Sequence, residues 1–546
     1  ALVEHSSDIV DRISSSADAI NCLTTGYLEA SSTCTPANDD ADAARNNCLT
    51  ATSRVVHTML DNNPILLHQL LANYQSNGND FIKKLVALVE NGVCPAKVRL
   101  HCAGSLISIY QLLQFHADLK KQYEAILSVS DLEKVIASTV LPILCQYVDY
   151  RPDIAAALIS RMQEAQTAAL SEENDAKVEA EIQEMIKGKN ESARAIARRQ
   201  KEMKDNVKEP TDEVTKTKPT AKYGTDFQQI LTKAIEAWEN AVHPLKLALE
   251  VATNLCTYDD QHQQNEDYTM WESDDEENME QLAKDINAKE ANLQPLQAAA
   301  LFDHVVSCGL PERVRGVIQG LMQPLSVDLT DDNEVVQRDL IEVLGKCGAC
   351  IGNIAINLSS WEKQLQGGNH LIEVWRTLGQ CMSKVDLHGE ASAEVSGAMT
   401  AMLRYRTELL GAVGQDELTL ILNLLQKANC AEARQNAASM LTSLCTSPHS
   451  KEVDSLVCQH LISSIQNDPS VNVVGEVLCA IMDIYGNEEV CFGSVFNEQN
   501  VLQVLQASLP TFRNRIGGDA NAFDAAVLKE TALNVKRFIK YKQQQE

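Results

Sequence analysis

The pair Cys347-Gly-Ala-Cys350 has the spacing of one half of a zinc site or of a redox dithiol. Zinc would need a second pair, or a histidine at ligand spacing, and neither stands nearby. The pair lies in Leu344-Gly-Lys-Cys-Gly-Ala-Cys-Ile-Gly-Asn-Ile354, which reads as a tightly packed helix. Both cysteines are therefore expected in the core, holding no metal. The twelve histidines are scattered, and His243, just before Pro244, is expected near a helix bend or end. No Gly-rich phosphate loop precedes a Lys-Ser/Thr, and neither His-Glu-x-x-His nor a Gly-x-Ser-x-Gly elbow occurs. The sequence points to no enzyme, no cofactor and no metal site.

The other chemistry-bearing stretch is acidic. Residues 259–290 hold twelve carboxylates against Lys284 and Lys289, centred on Tyr268-Thr-Met-Trp-Glu-Ser-Asp-Asp-Glu-Glu277. They lack the ordered Gly and alternating ligands of a calcium loop. With so little apolar content, such a segment is expected to be disordered when alone. The candidate binding residues are Asp267, Trp271, Glu272, Asp274, Asp275, Glu276 and Glu277. A run of this sign suits a basic protein partner. Trp271 would either stack on an Arg guanidinium of that partner or pack the loop back onto its scaffold.

The whole chain carries the same bias, with 75 acidic against 47 basic residues and a net charge of −28. Such a field repels nucleic-acid phosphates and speeds encounter with basic partners. No direct nucleic-acid binding is expected. No stretch reaches the eighteen or more apolar residues of a membrane span, and no membrane partner is expected. The sixteen cysteines fall mostly within apolar helical stretches, as small core residues of a reducing compartment. Ala1-Leu-Val-Glu4 starts without Met and runs into an amphipathic pattern, so no signal peptide is expected and the true beginning is expected upstream.

The elements that must position this chemistry are helices. Val242, Leu245, Leu249, Ala252 and Cys256 make one stripe, and Ala437, Met440, Leu441 and Leu444 make another. Asp468 is expected to N-cap a helix whose first residue is Pro469. Residues 432–441 superimpose on 470–479, which puts Ala437 on Gly475 and Met440 on Leu478, thirty-eight residues apart. That spacing suits a helical-pair repeat of armadillo or HEAT kind, with a small residue where the paired helix comes close. The fold class expected is all-α, an armadillo/HEAT-type α-solenoid wound as a right-handed superhelix, with an inserted acidic loop. The organisation expected is N-terminal armadillo-like repeats over 1–170, a charged helix and flexible linker over 171–224, and solenoid helices over 225–258. The acidic disordered loop over 259–290 and C-terminal HEAT repeats over 291–546 follow.

Leu245-Lys-Leu-Ala-Leu-Glu-Val-Ala-Thr-Asn-Leu-Cys256, followed by a loop with Trp271-Glu-Ser-Asp-Asp-Glu-Glu277, resembles the symportin family of HEAT-repeat proteins. So do Ala103-Gly-Ser-Leu-Ile-Ser-Ile109, Asp468-Pro-Ser-Val-Asn-Val-Val-Gly-Glu-Val-Leu-Cys-Ala-Ile-Met-Asp483 and Asn534-Val-Lys-Arg-Phe-Ile-Lys-Tyr541. They follow the family's order and extend the resemblance over 95–541. The resemblance implies a non-catalytic adaptor that co-imports two large-subunit ribosomal proteins, five and eleven, of the 5S ribonucleoprotein. It implies that these basic clients are shielded from aggregation and carried from cytoplasm to nucleus for ribosome assembly. An importin would join through an N-terminal signal that this chain does not contain. The competing readings are an importin-β-like transport receptor, which should be longer and bind a small GTPase, and a generic HEAT-repeat scaffold.

Overall fold

Helix after helix is built around apolar stripes that need a neighbour to cover them. The computed structural model describes residues 40–73, 78–125, 127–149, 223–257, 299–325, 334–357, 370–384, 389–486, 492–519 and 522–545. In chain order the helices are α1 (Asp40–Leu60), α2 (Pro64–Asn73), α3 (Gly78–Glu90), α4 (Ala96–Phe115), α5 (Ala117–Tyr123), α6 (Val129–Val135) and α7 (Leu141–Val148). A π turn, Ile136–Val140, joins α6 to α7. Then come α8 (Tyr223–Leu255), α9 (Ala299–Ser307), α10 (Leu310–Leu325), α11 (Glu334–Asn357), α12 (His370–Lys384), α13 (Gly389–Tyr405) and α14 (Gln415–Lys427). Last are α15 (Ala431–Cys445), α16 (Lys451–Asn467), α17 (Val471–Gly486), α18 (Gly493–Glu498), α19 (Val501–Asp519) and α20 (Ala522–Gln545). No strand occurs among the described residues, and the fold is the expected α-solenoid.

The chain forms two compact units, one of residues 1–150, 243–327 and 337–546, the other of 151–242 and 328–336. Of the second, residues 223–242 and 334–336 are described, all helical. Everything below concerns the first.

Successive helices of that unit pack in two rows. One row runs through α10, α12, α14 and α16, each packed on the next. The other runs through α13, α15, α17 and α20. The end of α8 and the whole of α11 extend this second row, α11 lying against α8 on one side and α13 on the other. Each helix therefore buries one side against its pair and its flanks against its row neighbours, the arrangement of a repeat array. Trp375 of α12, wholly buried, donates its indole N–H to the carbonyl of Met399 on α13 at 3.2 Å and ties the rows together.

The stripes read from sequence are the buried ones: Leu245, Leu249, Ala252 and Cys256 are all inside, as are Ala437, Met440, Leu441 and Leu444. The register of the repeat holds too. Ala437 and Gly475 are both buried, and a Cβ on Gly475 would lie 2.4 Å from Leu528 of α20. One local expectation is narrowed and one corrected. Pro244 lies inside α8, which excludes the helix end among the two places expected for His243, and the carbonyl one turn earlier loses its amide partner without the helix stopping. Helix α17 begins at Val471, with Ser470 before it. Asp468 instead turns its carboxylate to the Ser470 N–H at 2.8 Å and to Arg434 of α15. A buried guanidinium outcompetes the helix terminus for that side chain.

Between α11 and α13 the packing is glycine on backbone. Gly345, Gly348 and Gly352 form one stripe of α11 against α13, and a Cβ on Gly348 would lie 2.9 Å from the Val395 nitrogen and 3.0 Å from its Cα. Backbone atoms cannot rotate aside as a side-chain tip can. Gly348→Ala is expected to destabilise by about 1–3 kcal/mol through overpacking. Gly316→Ala, on α10 where nothing lies within 4 Å, should stabilise by about 0.5–1 kcal/mol. Thermal unfolding of the two variants should therefore shift in opposite directions.

Candidate client-binding face

The predicted binding residues Asp267, Trp271, Glu272, Asp274, Asp275, Glu276 and Glu277 lie outside the described residues. So do residues 1–39 of the repeats expected over 1–170, residues 171–222 of the linker expected over 171–224, and the whole of 259–290. What the structure does define is the place from which the acidic segment departs. Helix α8 ends at Leu255, and its last carbonyls are met by two amides of α11. Asn353 donates to the Thr253 carbonyl at 3.2 Å and to the Thr257 hydroxyl at 2.9 Å. Asn357 donates to the Cys256 carbonyl at 2.6 Å. Orphan carbonyls at a helix end need such partners, and these fix the chain up to Thr257. On the other side, Gln111 of α4 reaches the Asn254 carbonyl at 2.6 Å.

Polar side chains continue from helix to helix along the second row. Asn436 of α15 donates to the Ser396 hydroxyl at 3.0 Å and to the Ala393 carbonyl at 3.2 Å, both on α13. Ser439 donates to Glu476 of α17 at 2.6 Å, and Asn472 to Asp524 of α20 at 2.9 Å. Buried polar atoms are costly unless paired, so this ladder fixes how each helix sits on the next.

Beside the root of the acidic segment, α8, α11 and α13 enclose an open cleft of about 470 Å³. It is lined by Glu250, Glu342, Glu390 and Glu394 against Arg338 and Lys346. Lys346 lies 3.3 Å from Glu250 and 4.0 Å from Glu342. Lys246 is already committed deeper in the wall, 2.7 Å from Asp339 and also bound to Glu342. Burial, then the neighbouring Glu390, pushes the Glu394 carboxyl up, and Lys346 only partly offsets this. A second such place occurs on α17, where burial and then Glu476 raise the Asp483 carboxyl. Carboxylates held together with too little positive charge are stabilised by an incoming cation. Lys or Arg of a partner would meet that need.

Sequence reasoning did not single out these residues. The signal available was the i, i+4 spacing of Glu390 and Glu394, which stacks two like charges on one helix face. Glu250 and Glu342 join them only through helix packing. The Cys347–Cys350 pair lies where the core reading put it, both side chains fully buried in α11. Burial pushes the Cys347 thiol far up and the Cys350 thiol to about 12, so neither is a ready thiolate. No helix among the described residues is long and apolar enough to cross a membrane.

With the fold and this face described, comparison with known proteins becomes informative. Residues 300–546 match the family model described as SYO1-like, TPR repeats. This C-terminal region is similar to the SYO1-like family. It is the symportin family of the sequence resemblance, and the match begins within α9. The matched region runs from α9 to α20 and so includes α11 and α13, two of the three helices around the cleft. No curated protein matches the chain. Among solved structures, an engineered protein is 13% identical, covers 94% of this chain and 99% of its own, and has a TM-score of 0.28. UNC-45 from Drosophila melanogaster is 14% identical over 97% of this chain and 72% of its own, with a TM-score of 0.29. She4p is 13% identical over 95% and 85%, with a TM-score of 0.25. Likenesses this distant bear on neither site nor function.

Proposed function

We propose that this protein is a non-catalytic transport adaptor and dedicated chaperone for basic large-subunit ribosomal proteins, the two of the 5S ribonucleoprotein. The SYO1-like match over residues 300–546 is the observation that carries this reading, and it supports a ribosomal-protein adaptor in general terms. The net charge of −28 and the under-neutralised carboxylates of the cleft agree with it. Ribosomal proteins present Lys/Arg surfaces shaped for RNA phosphates. The acidic segment, rooted at Thr257, would occupy part of such a surface, and the second row of helices would hold the remainder. Each carboxylate–cation contact is weak alone, so a wide array is needed to keep RNA off the client. Escort from cytoplasm to nucleus by way of an importin completes the proposal.

The test is gentle affinity purification of the full chain followed by mass spectrometry, then binding of the purified proteins in physiological salt. Ribosomal proteins five and eleven should be recovered, and the adaptor should protect them from precipitation by added RNA. Recovery of neither would overturn the proposal. Selective capture of a GTP-loaded small GTPase would favour a transport receptor instead.

A further inference from the structure

The turn between α15 and α16 gathers three metal-ligating side chains that the role above leaves unused. Cys445 ends α15, His449 lies in the turn, and Asp454 is in the first turns of α16. Their ligand atoms all lie within 4.8 Å of one another. We propose that Cys445, His449 and Asp454 form a binding site for a divalent transition-metal ion, with zinc the best match.

The imidazole carries the argument. His449 Nδ1 lies 2.6 Å from the Ser447 carbonyl oxygen. A carbonyl only accepts, so this ring nitrogen holds the proton. Nε2, the other ring nitrogen, faces the Asp454 Oδ1 at 3.4 Å. Both side chains are more than nine-tenths buried. A cation seated between them would take a lone pair from each. A backbone carbonyl holding the far N–H is also the usual way a metal-ligating histidine is oriented.

Distance and charge fit the same ion. Oxygen and nitrogen ligands about 2.0–2.2 Å from a tetrahedral Zn²⁺ stand about 3.3–3.6 Å from one another, which is the His449–Asp454 separation. The Cys445 sulfur needs at most a small closing movement. One thiolate and one carboxylate neutralise Zn²⁺, so the loaded site buries no net charge. Without metal, burial and then the Asp454 carboxylate push the Cys445 thiol up, so ion binding would displace its proton.

The surroundings are built. Tyr485 of α17 donates its hydroxyl to the second Asp454 oxygen at 3.3 Å, and Phe492 packs edge-on to His449 with centroids 5.3 Å apart. The turn itself is pinned: the Ser450 hydroxyl accepts from the Val453 N–H, and the Ser447 hydroxyl donates to the Ser443 carbonyl. Cys445-x3-His449-x4-Asp454 is a local spacing, needing no distant element to assemble it. The ion would clasp the α15–α16 turn and, through Tyr485, α17. Its role is structural.

The untagged full chain, purified without chelator, should carry stoichiometric zinc by elemental analysis. Exchange for Co²⁺ should give a thiolate charge-transfer band and the visible bands of tetrahedral cobalt. Both should vanish in Cys445→Ser and fall sharply in His449→Gln and Asp454→Asn, with circular dichroism confirming that each variant is folded. Chelation should lower the melting temperature of the wild type but not of Cys445→Ser. The proposal is overturned if folded wild-type protein retains no stoichiometric zinc and takes up no Co²⁺ with a thiolate band. It is also overturned if metal and band persist in Cys445→Ser and His449→Gln, since other cysteines would then hold the ion.

Discussion

Replacing Arg434 by Ala should cost the C-terminal repeats about 3–5 kcal/mol, the usual penalty for stranding one half of a buried ion pair. Arg434 and Asp468 are both almost wholly buried, and their contact is a two-pronged fork. Nε lies 2.7 Å from one carboxylate oxygen and Nη2 3.0 Å from the other. Nη1 donates further to the Ala428 carbonyl at 2.7 Å, closing the turn that precedes α15. Asp468 meanwhile holds the Ser470 N–H, and Arg515 of α19 donates to the Asp468 carbonyl at 3.1 Å. One guanidinium therefore joins the α14–α15 turn to the α16–α17 turn. Arg434→Lys keeps the charge but loses the fork, and should fall between alanine and wild type. Arg376→Ala is the contrast, because its pair with Glu417 is half exposed and worth about 0–1 kcal/mol. Repeat arrays open locally, so amide exchange should rise first in α14 to α17. Equal effects of the two alanine variants would mean that the buried fork contributes no more than a surface pair.

That fork also marks where the sequence stops being legible. The stripe from Leu245 to Cys256 is a local pattern: an apolar face repeating with the helical period has to be buried, whatever covers it. The small residue shared by Ala437 and Gly475 was legible for a similar reason, since missing side-chain volume implies a close neighbour. Partner choice is not local. Asp468 before Pro469 is a good helix cap on sequence grounds, and only the folded register brings Arg434 within reach of it. Whether Pro244 would bend or end its helix was not legible either, and α8 continues through it because the penalty for proline is smaller than the burial of Leu245, Leu249 and Ala252. The cleft shows the same limit. Glu390 and Glu394 announce each other by spacing, whereas Glu250 and Glu342 become their neighbours only because the glycine stripe of α11 lets α13 approach.

Substituting Glu272, Asp274, Asp275, Glu276 and Glu277 together with Ser or Gln should weaken binding to a basic ribosomal client by tenfold or more. The melting temperature should barely change. The stretch is too poor in apolar residues to contribute to the repeat core, so its neutralisation touches little of what holds the fold. Exposed charge pairs are worth about 0–1 kcal/mol each, so a single substitution is expected to be silent while five together reach roughly a tenfold loss or more. Wild-type binding should also fall more steeply with salt than that of the variant, because screening acts over about 8 Å at physiological ionic strength. A second variant, Glu390→Gln with Glu394→Gln, separates the segment from the cleft. These side chains lie on α13, and neutralising them removes a like-charge contact, so the fold should gain slightly while client affinity drops. If the segment variant binds like wild type with the same salt slope and the cleft variant does not, the helical face holds the client and the acidic segment merely spans between helices. If only the segment variant is impaired, the carboxylates of α8, α11 and α13 are not part of the binding surface. Loss in both, with additive free energies, is the result expected if the two regions contact one client surface independently.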